Sequence, residues 1–153
     1  MVPRGAPPNG LVAYLVPEWD TAEAADELRD AWTAAVDDVT ETSAAPPDVP
    51  DDFSGWVSSY TGRPLPADDM TEWVARTVDL LRETAPRTVL DIGCGTGLLL
   101  MRLAPGCDRY LGIDVSQPVL DGLSARVKRA GLSNVELRHG DARTVVDLAG
   151  QAF

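Results

Sequence analysis

Val89-Leu90-Asp91-Ile92-Gly93-Cys94-Gly95-Thr96-Gly97, followed by Leu98-Leu99-Leu100-Met101, decides the fold of this chain. An apolar run enters, an acid interrupts its end, and three alternate glycines follow before an apolar pattern resumes. Read physically, this is a buried strand, a turn without side chains and a helix. Such a turn lets a ligand lie against bare backbone at the carboxyl end of a parallel strand, beside a helix N-terminus. Two features argue against a dinucleotide. The pyrophosphate fingerprint G-x-G-x-x-G/A needs a small residue where this chain has Leu98. Asp91 places a carboxylate that would repel a pyrophosphate and attract an ammonium or sulfonium group.

Working outward, the pattern repeats. Arg109 to Ile113 reads as a second strand ending at Asp114. Ser116 is placed to cap a helix, with Pro118 in its first turn and Gly131 at its end. Val135 to Arg138 reads as a third strand ending at Gly140-Asp141-Ala142, and residues 142–149 as one more short helix. The first crossover helix is expected over Gly97 to Ala104, closed by Pro105-Gly106. Upstream, Met70, Trp73, Val74, Thr77, Leu80 and Leu81 share one side of a helix that starts at Ala67 and stops before Pro86, with Trp73 expected in the core. The order β-α-β-α-β-α predicts an α/β, doubly wound parallel sheet with right-handed crossovers.

The N-terminal third is different in kind. Residues 1–10 read as loop, Leu11 to Val16 as a short strand ended by Pro17, and 21–40 as an amphipathic helix. That helix carries Leu28, Trp32, Ala35 or Val36, and Val39 at helical spacing, with Asp20 and Glu23 as a capping box. Residues 44–52 form a proline-rich acidic linker and the expected domain boundary.

Composition bounds the partners. The 153 residues suit one domain of ordinary size, and the net charge of -11 disfavours nucleic acid or an anionic membrane. No apolar run approaches a membrane span and no signal sequence opens the chain, so a cytoplasmic location is expected. Cys94 and Cys107 are the only cysteines, without metal-ligand company, as in a reducing compartment. The single histidine, His139, reads as a strand-end or surface residue.

The motif D-x-G-x-G-x-G with a second acid about twenty residues on resembles the first motif of class I S-adenosylmethionine-dependent methyltransferases. Gly10 to Pro17 resembles a late core motif of the adenylation domains of nonribosomal peptide synthetases. Phe53-Ser54-Gly55-Trp56-Val57-Ser58-Ser59-Tyr60-Thr61-Gly62, with Pro64, Pro66, Met70 and Glu72-Trp73, resembles the lead-in of methyltransferase domains inserted in those adenylation domains. One departure is Val57, where the usual pattern has asparagine.

The resemblance implies an adenylation-domain remnant over 1–43, the linker 44–52, and the cofactor half of a methyltransferase over 53–153. A seven-stranded, Rossmann-like sheet is implied, of which the sequence accommodates about three strands. The implied cofactor is S-adenosyl-L-methionine, with Asp91, Gly93, Cys94, Gly95 and Gly97 in the glycine turn. Asp114 would accept the ribose hydroxyls, its alternative being a surface acid in a turn. Asp141 and Ala142 would read the adenine, the alternative for Asp141 being an N-cap. Tyr60 would close the pocket near the methionine portion, or anchor the lead-in on the core. The implied substrate is a carrier-protein-bound aminoacyl group methylated on nitrogen, with other synthetase domains as partners. No residue of this chain is assigned a catalytic role, and the chain alone is expected to be inactive. A free-standing small-molecule methyltransferase, a non-catalytic cofactor-binding or interaction module, and a dinucleotide oxidoreductase are the competing readings.

Overall fold

A computed structural model describes residues 21–43, 51–53, 55–148, 150 and 153. The expected strand at 11–16, Asp20 of the capping box and most of the expected linker (44–50) lie outside the described residues. The elements are α1 (Thr21–Ser43), α2 (Ala67–Glu83), β1 (Thr88–Ile92), α3 (Leu100–Leu103), β2 (Arg109–Asp114), α4 (Gln117–Arg129) and β3 (Val135–His139). A 3-10 turn, Ala104–Gly106, extends α3, and a 3-10 helix, Ala142–Leu148, follows β3. The three strands are parallel and ordered β1-β2-β3. Thr88 pairs with Arg109 through to Ile92 with Ile113, and Tyr110 pairs with Val135 through to Asp114 with His139. The acids that end β1 and β2 are thereby brought to one end of the sheet.

Alternation along β2 sends its side chains to two different environments. Tyr110 joins a core with Val74 and Val78 of α2, Cys94 and Leu98 of the glycine turn, Leu100 and Leu103 of α3, and Leu120, Leu123 and Val127 of α4. Leu111 and Ile113 form a smaller cluster with Leu148 and the partly buried Leu90. Ser116 caps α4 as expected, its hydroxyl accepting from the Val119 N–H at 3.4 Å. The segment before the sheet is stitched to it by polar links: Arg102 pairs with Asp51 at 2.5 Å, and the Thr96 hydroxyl donates to the Asp52 carbonyl at 2.8 Å.

Two expectations are corrected, and α1 shows a placement that its spacing did not decide. The first crossover helix begins at Leu100 and not at Gly97, because Gly97 has φ +82, outside the α region. On α2 the buried stripe is Met70, Val74 and Val78, while Trp73 stands partly exposed and stacks on Trp56 with ring centroids 5.1 Å apart. On α1 two residues of the apolar stripe, Leu28 and Trp32, are turned outward. Leu28 is 72% and Trp32 65% exposed, whereas the polar side is docked. The Ser116 hydroxyl donates to Asp37 at 2.5 Å, and Arg143 pairs with Asp26 at 2.8 Å.

Candidate functional site

A cavity of about 580 Å³ opens at the carboxyl end of the sheet. Its floor is Ile92, Gly93, Gly95 and Thr96 of the glycine turn; one wall is Asp114, Val115 and Val119, another Gly140, Asp141 and Ala142. Trp32 and Ala35 of α1 and Gly55 and Trp56 of the lead-in complete the lining. Its volume is that of a small-molecule site, apolar with a few converging polar groups.

The glycines do separate jobs. Gly93 and Gly95 have positive φ, and a Cβ at either would meet no atom within 4 Å. Their bareness therefore serves the cavity and the backbone conformation, not internal packing. Gly97 differs: a Cβ there would run into the side chain of Leu123 on α4. Gly97 does not line the cavity; it lets α4 approach the turn.

Asp114 is the best fixed of the acids. It ends β2 between two strands and is 8% exposed. Oδ2 accepts the Gly95 N–H at 2.8 Å and Oδ1 the Ser116 N–H at 3.0 Å. Each oxygen spends one lone pair on the backbone, and a carboxylate has about four acceptor sites in all. One acceptor site per oxygen thus remains beyond the backbone bonds, on a residue that lines the cavity.

Asp91 is held away from the lining. Its Oδ2 accepts the Tyr110 hydroxyl at 2.8 Å. Burial pushes its carboxyl up, opposed by the Tyr110 hydrogen bond and reinforced by the Asp114 charge. The Tyr110 phenol is pushed up in turn, by burial first and the Asp91 charge second, so it stays a donor. Cys94 is buried beneath the turn, its thiol pushed up to about 12 by burial, with the Asp91 and Asp114 charges adding to it.

Asp141 behaves as the N-cap of the 3-10 helix while lining the cavity. Its Oδ1 accepts the Arg143 N–H at 2.8 Å, and Oδ2 takes the Arg143 guanidinium at 2.9 and 2.6 Å. The side-chain bond to Arg143 holds its carboxyl below the usual carboxylate value. Ala142 begins that 3-10 helix, where backbone N–H groups lack partners within the helix. His139 ends β3, with Nε2 2.9 Å from the Val115 carbonyl.

Of the nine residues singled out from sequence, the cavity gathers Gly93, Gly95, Asp114, Asp141 and Ala142. Asp91, Cys94 and Gly97 stand behind the turn. Tyr60 is 95% exposed, at the tip of a tight loop in which Ser58 N–H donates to the Arg63 carbonyl and Gly62 N–H to the Ser58 carbonyl. Four residues earlier, Trp56 reaches the cavity. Sequence reasoning missed Trp32, Trp56 and Ile92 as lining. The available signal was a tryptophan beside Gly55 in the lead-in and another on a helix whose partners were unknown. No group of three or more metal-ligating side chains occurs among the described residues, and no helix among them is long and apolar enough to cross a membrane.

Comparison with known proteins adds a second kind of observation. A family model described as a methyltransferase domain matches residues 89–153. Chondramide synthase cmdD of Chondromyces crocatus is 42% identical over 130 residues, covering 83% of this chain and 3% of that protein. The probable non-canonical nonribosomal peptide synthetase CymA of Salinispora arenicola is 34% identical over 143 residues, 94% of this chain and 2% of that one. Enniatin synthetase of Fusarium oxysporum is 35% identical over 81 residues, 52% of this chain and 3% of its own length. The chain thus spans only a few hundredths of the length of these relatives. Among solved structures, an rRNA methylase from Streptococcus thermophilus superposes with a TM-score of 0.48 at 22% identity, over 51% of this chain and 48% of that one.

Proposed function

We propose that the cavity binds S-adenosyl-L-methionine for methylation, on nitrogen, of an aminoacyl group held by a carrier protein, in a chain whose residues 89–153 match a methyltransferase domain model and whose similar relatives are nonribosomal peptide synthetases. When bound, that cofactor supplies an electrophilic methyl group on a cationic sulfur. The residues present suit it. Asp114 keeps one acceptor site on each oxygen for a vicinal diol, and its orientation is fixed in advance by Gly95 and Ser116. Gly93 and Gly95 leave backbone bare for the methionine portion. Asp141 and the Ala142 N–H stand where an exocyclic amine and a ring nitrogen would be read, and Val115 and Val119 offer apolar contact to a base.

The observation that carries this reading is the Asp114 carboxylate, wired by two backbone N–H groups and lining a cavity floored by glycine. Asp91 acts behind the turn: its charge, buried and accepting the Tyr110 hydroxyl, favours a cationic ligand nearby. A neutral amine nucleophile needs positioning and exclusion of water more than a dedicated base. No catalytic residue is therefore assigned among the 153.

The relatives' similarity extends beyond the stretch matched by the methyltransferase model, over 83% and 94% of this chain. That supports assigning 1–43 to an adenylation-domain segment, 44–52 to a linker and 53–153 to the cofactor half of the methyltransferase domain. Other synthetase domains are then its partners, in the cytoplasm. Taken alone, the 153 residues are proposed to bind cofactor without turning over.

The test is calorimetric titration with S-adenosylhomocysteine and, separately, NAD. Saturable binding of the first and not the second is expected. NAD binding that competes with S-adenosylhomocysteine would overturn the assignment.

A further inference from the structure

Helix α1 is the part of the molecule whose sequence pattern and placement disagree. An amphipathic helix ordinarily buries its apolar stripe. Here the polar stripe is docked, while Leu28 and Trp32 of the apolar one are left open. Asp26, Arg29 and Asp37 meet Arg143, Asp141 and Ser116, residues of the segments that follow β3 and β2. These links fix α1 over the carboxyl end of the sheet and set its rotation. On the adjacent stripe, Trp32 and Ala35 line the cavity.

The position of Trp32 along the cavity follows from its neighbours. Arg29, one turn before Trp32, and Thr33, the residue after it, share a second groove with Val115, Gly140 and Asp141. Trp32 therefore lies toward the Asp114–Asp141 end, where the walls are Val115 and Ala142, and Trp56 shares the same cavity. A 65% exposed indole at the rim of a largely apolar cavity is a face without a partner, and it suits a flat aromatic occupant.

We propose that Trp32 is a ligand-binding residue that packs on the exposed face of the adenine ring, so that a helix outside the methyltransferase domain closes the base end of its cofactor site. The inference rests on the cofactor reading above. It makes Asp37, through Ser116, a positioning residue for the indole, and ties the cofactor site to the upstream segment.

The experiment titrates the full chain with S-adenosylhomocysteine and with adenosine, comparing wild type, Trp32→Ala, Trp32→Phe and Asp114→Ala. Because Trp32 is largely exposed, its truncation leaves no core cavity, and far-UV circular dichroism checks the fold. Trp32→Ala is expected to weaken both ligands about tenfold, within the range that base–aromatic stacking contributes. Trp32→Phe should stay within about threefold of wild type, since an aromatic face remains. Ligand-induced quenching of tryptophan emission should be reduced in both variants. Unchanged affinity in Trp32→Ala, with Asp114→Ala weakened, overturns this inference and leaves the cofactor reading standing. Loss for S-adenosylhomocysteine but not adenosine overturns the placement at the base. A wild-type chain that binds neither ligand sinks both readings together.

Discussion

Two acids end or follow neighbouring strands and face the same cavity, yet they are built differently. Asp114 closes β2, the strand with a neighbour on each side, and backbone N–H groups from the glycine turn and from the start of α4 hold its two oxygens. Asp141 lies two residues beyond β3, an edge strand, and one residue holds it: Arg143, through its backbone N–H and its exposed guanidinium. The first acid is fixed by groups that cannot leave without unfolding the turn. The second has one such backbone bond, and the rest of its hold is a side chain that can rotate away. Position in the sheet thus separates a preorganised acceptor from an adjustable one.

Removing Asp114 should break the molecule's function most. Asp114→Ala is expected to cost about 2–3 kcal/mol of S-adenosylhomocysteine affinity, the range for charge-assisted hydrogen bonds. It also strips partners from the Gly95 and Ser116 N–H groups, so its melting temperature should fall as well. Asp114→Asn keeps one acceptor oxygen and should recover part of both. An alanine variant with wild-type affinity and melting temperature would remove the distinction drawn here.

The glycine turn to which Asp114 is tied offers the next test. Gly97→Ala forces a side chain into Leu123 at a positive φ, so a loss of about 1–3 kcal/mol in denaturant unfolding is expected. Gly95→Ala meets no atom within 4 Å and should lose less stability while losing ligand affinity. If the two variants exchanged these behaviours, the division between a packing glycine and a cavity glycine would fail.

Much of this contrast was legible in the chain. Strand-ending acids, glycine spacing, the Ser116 cap and the Gly131 stop are local signals, and β2, α4 and β3 lie within a residue or two of where they pointed. What was hidden depends on long-range partners. Nothing around Asp37 announces Ser116, 79 residues away, nor does Asp26 announce Arg143 at a separation of 117. Without those partners α1 reads as an amphipathic helix, and its spacing does not say which side is docked. On α2, Trp73 and Val74 both suit an apolar stripe by spacing. They differ by about 100° of helical rotation, and only the position of the sheet decides which is buried.

Asp91 and Asp141 should also part in their response to pH. Burial raises the Asp91 carboxyl, so the folded chain binds its proton more tightly than the unfolded chain does. Stability from this group therefore falls as pH rises from the ordinary aspartate value through the raised one, and the penalty persists above it. Asp91→Asn, which still accepts from Tyr110, should melt higher than wild type at neutral pH, with the difference shrinking in acid. Asp141, lowered by Arg143, has the opposite sign: its stabilisation is present above the ordinary value and fades as pH falls through the lowered one. Asp141→Ala should weaken S-adenosylhomocysteine binding by only about threefold, as for an exposed charge.

The smallest effect is read from a thiol that neither acid touches through a hydrogen bond. Cys94 is buried under the turn, and its thiol, pushed up to about 12 by burial and then by Asp91 and Asp114, has almost no thiolate at pH 8. Cys107 is less buried, its Sγ donating to the Leu103 carbonyl. Iodoacetamide at pH 8 should therefore modify Cys107 and spare Cys94, read by peptide mass. In Asp141→Ala the pattern should not change, because that acid lies outside the cover of Cys94. In Asp114→Ala the Gly95 N–H loses its tether, so Cys94 should react measurably faster even though the charge removed is only a secondary cause of its raised pKa. Equal protection of Cys94 in both variants would show that the turn holds its shape without Asp114. The two acids would then differ in ligand contact alone, not in what they do for the fold.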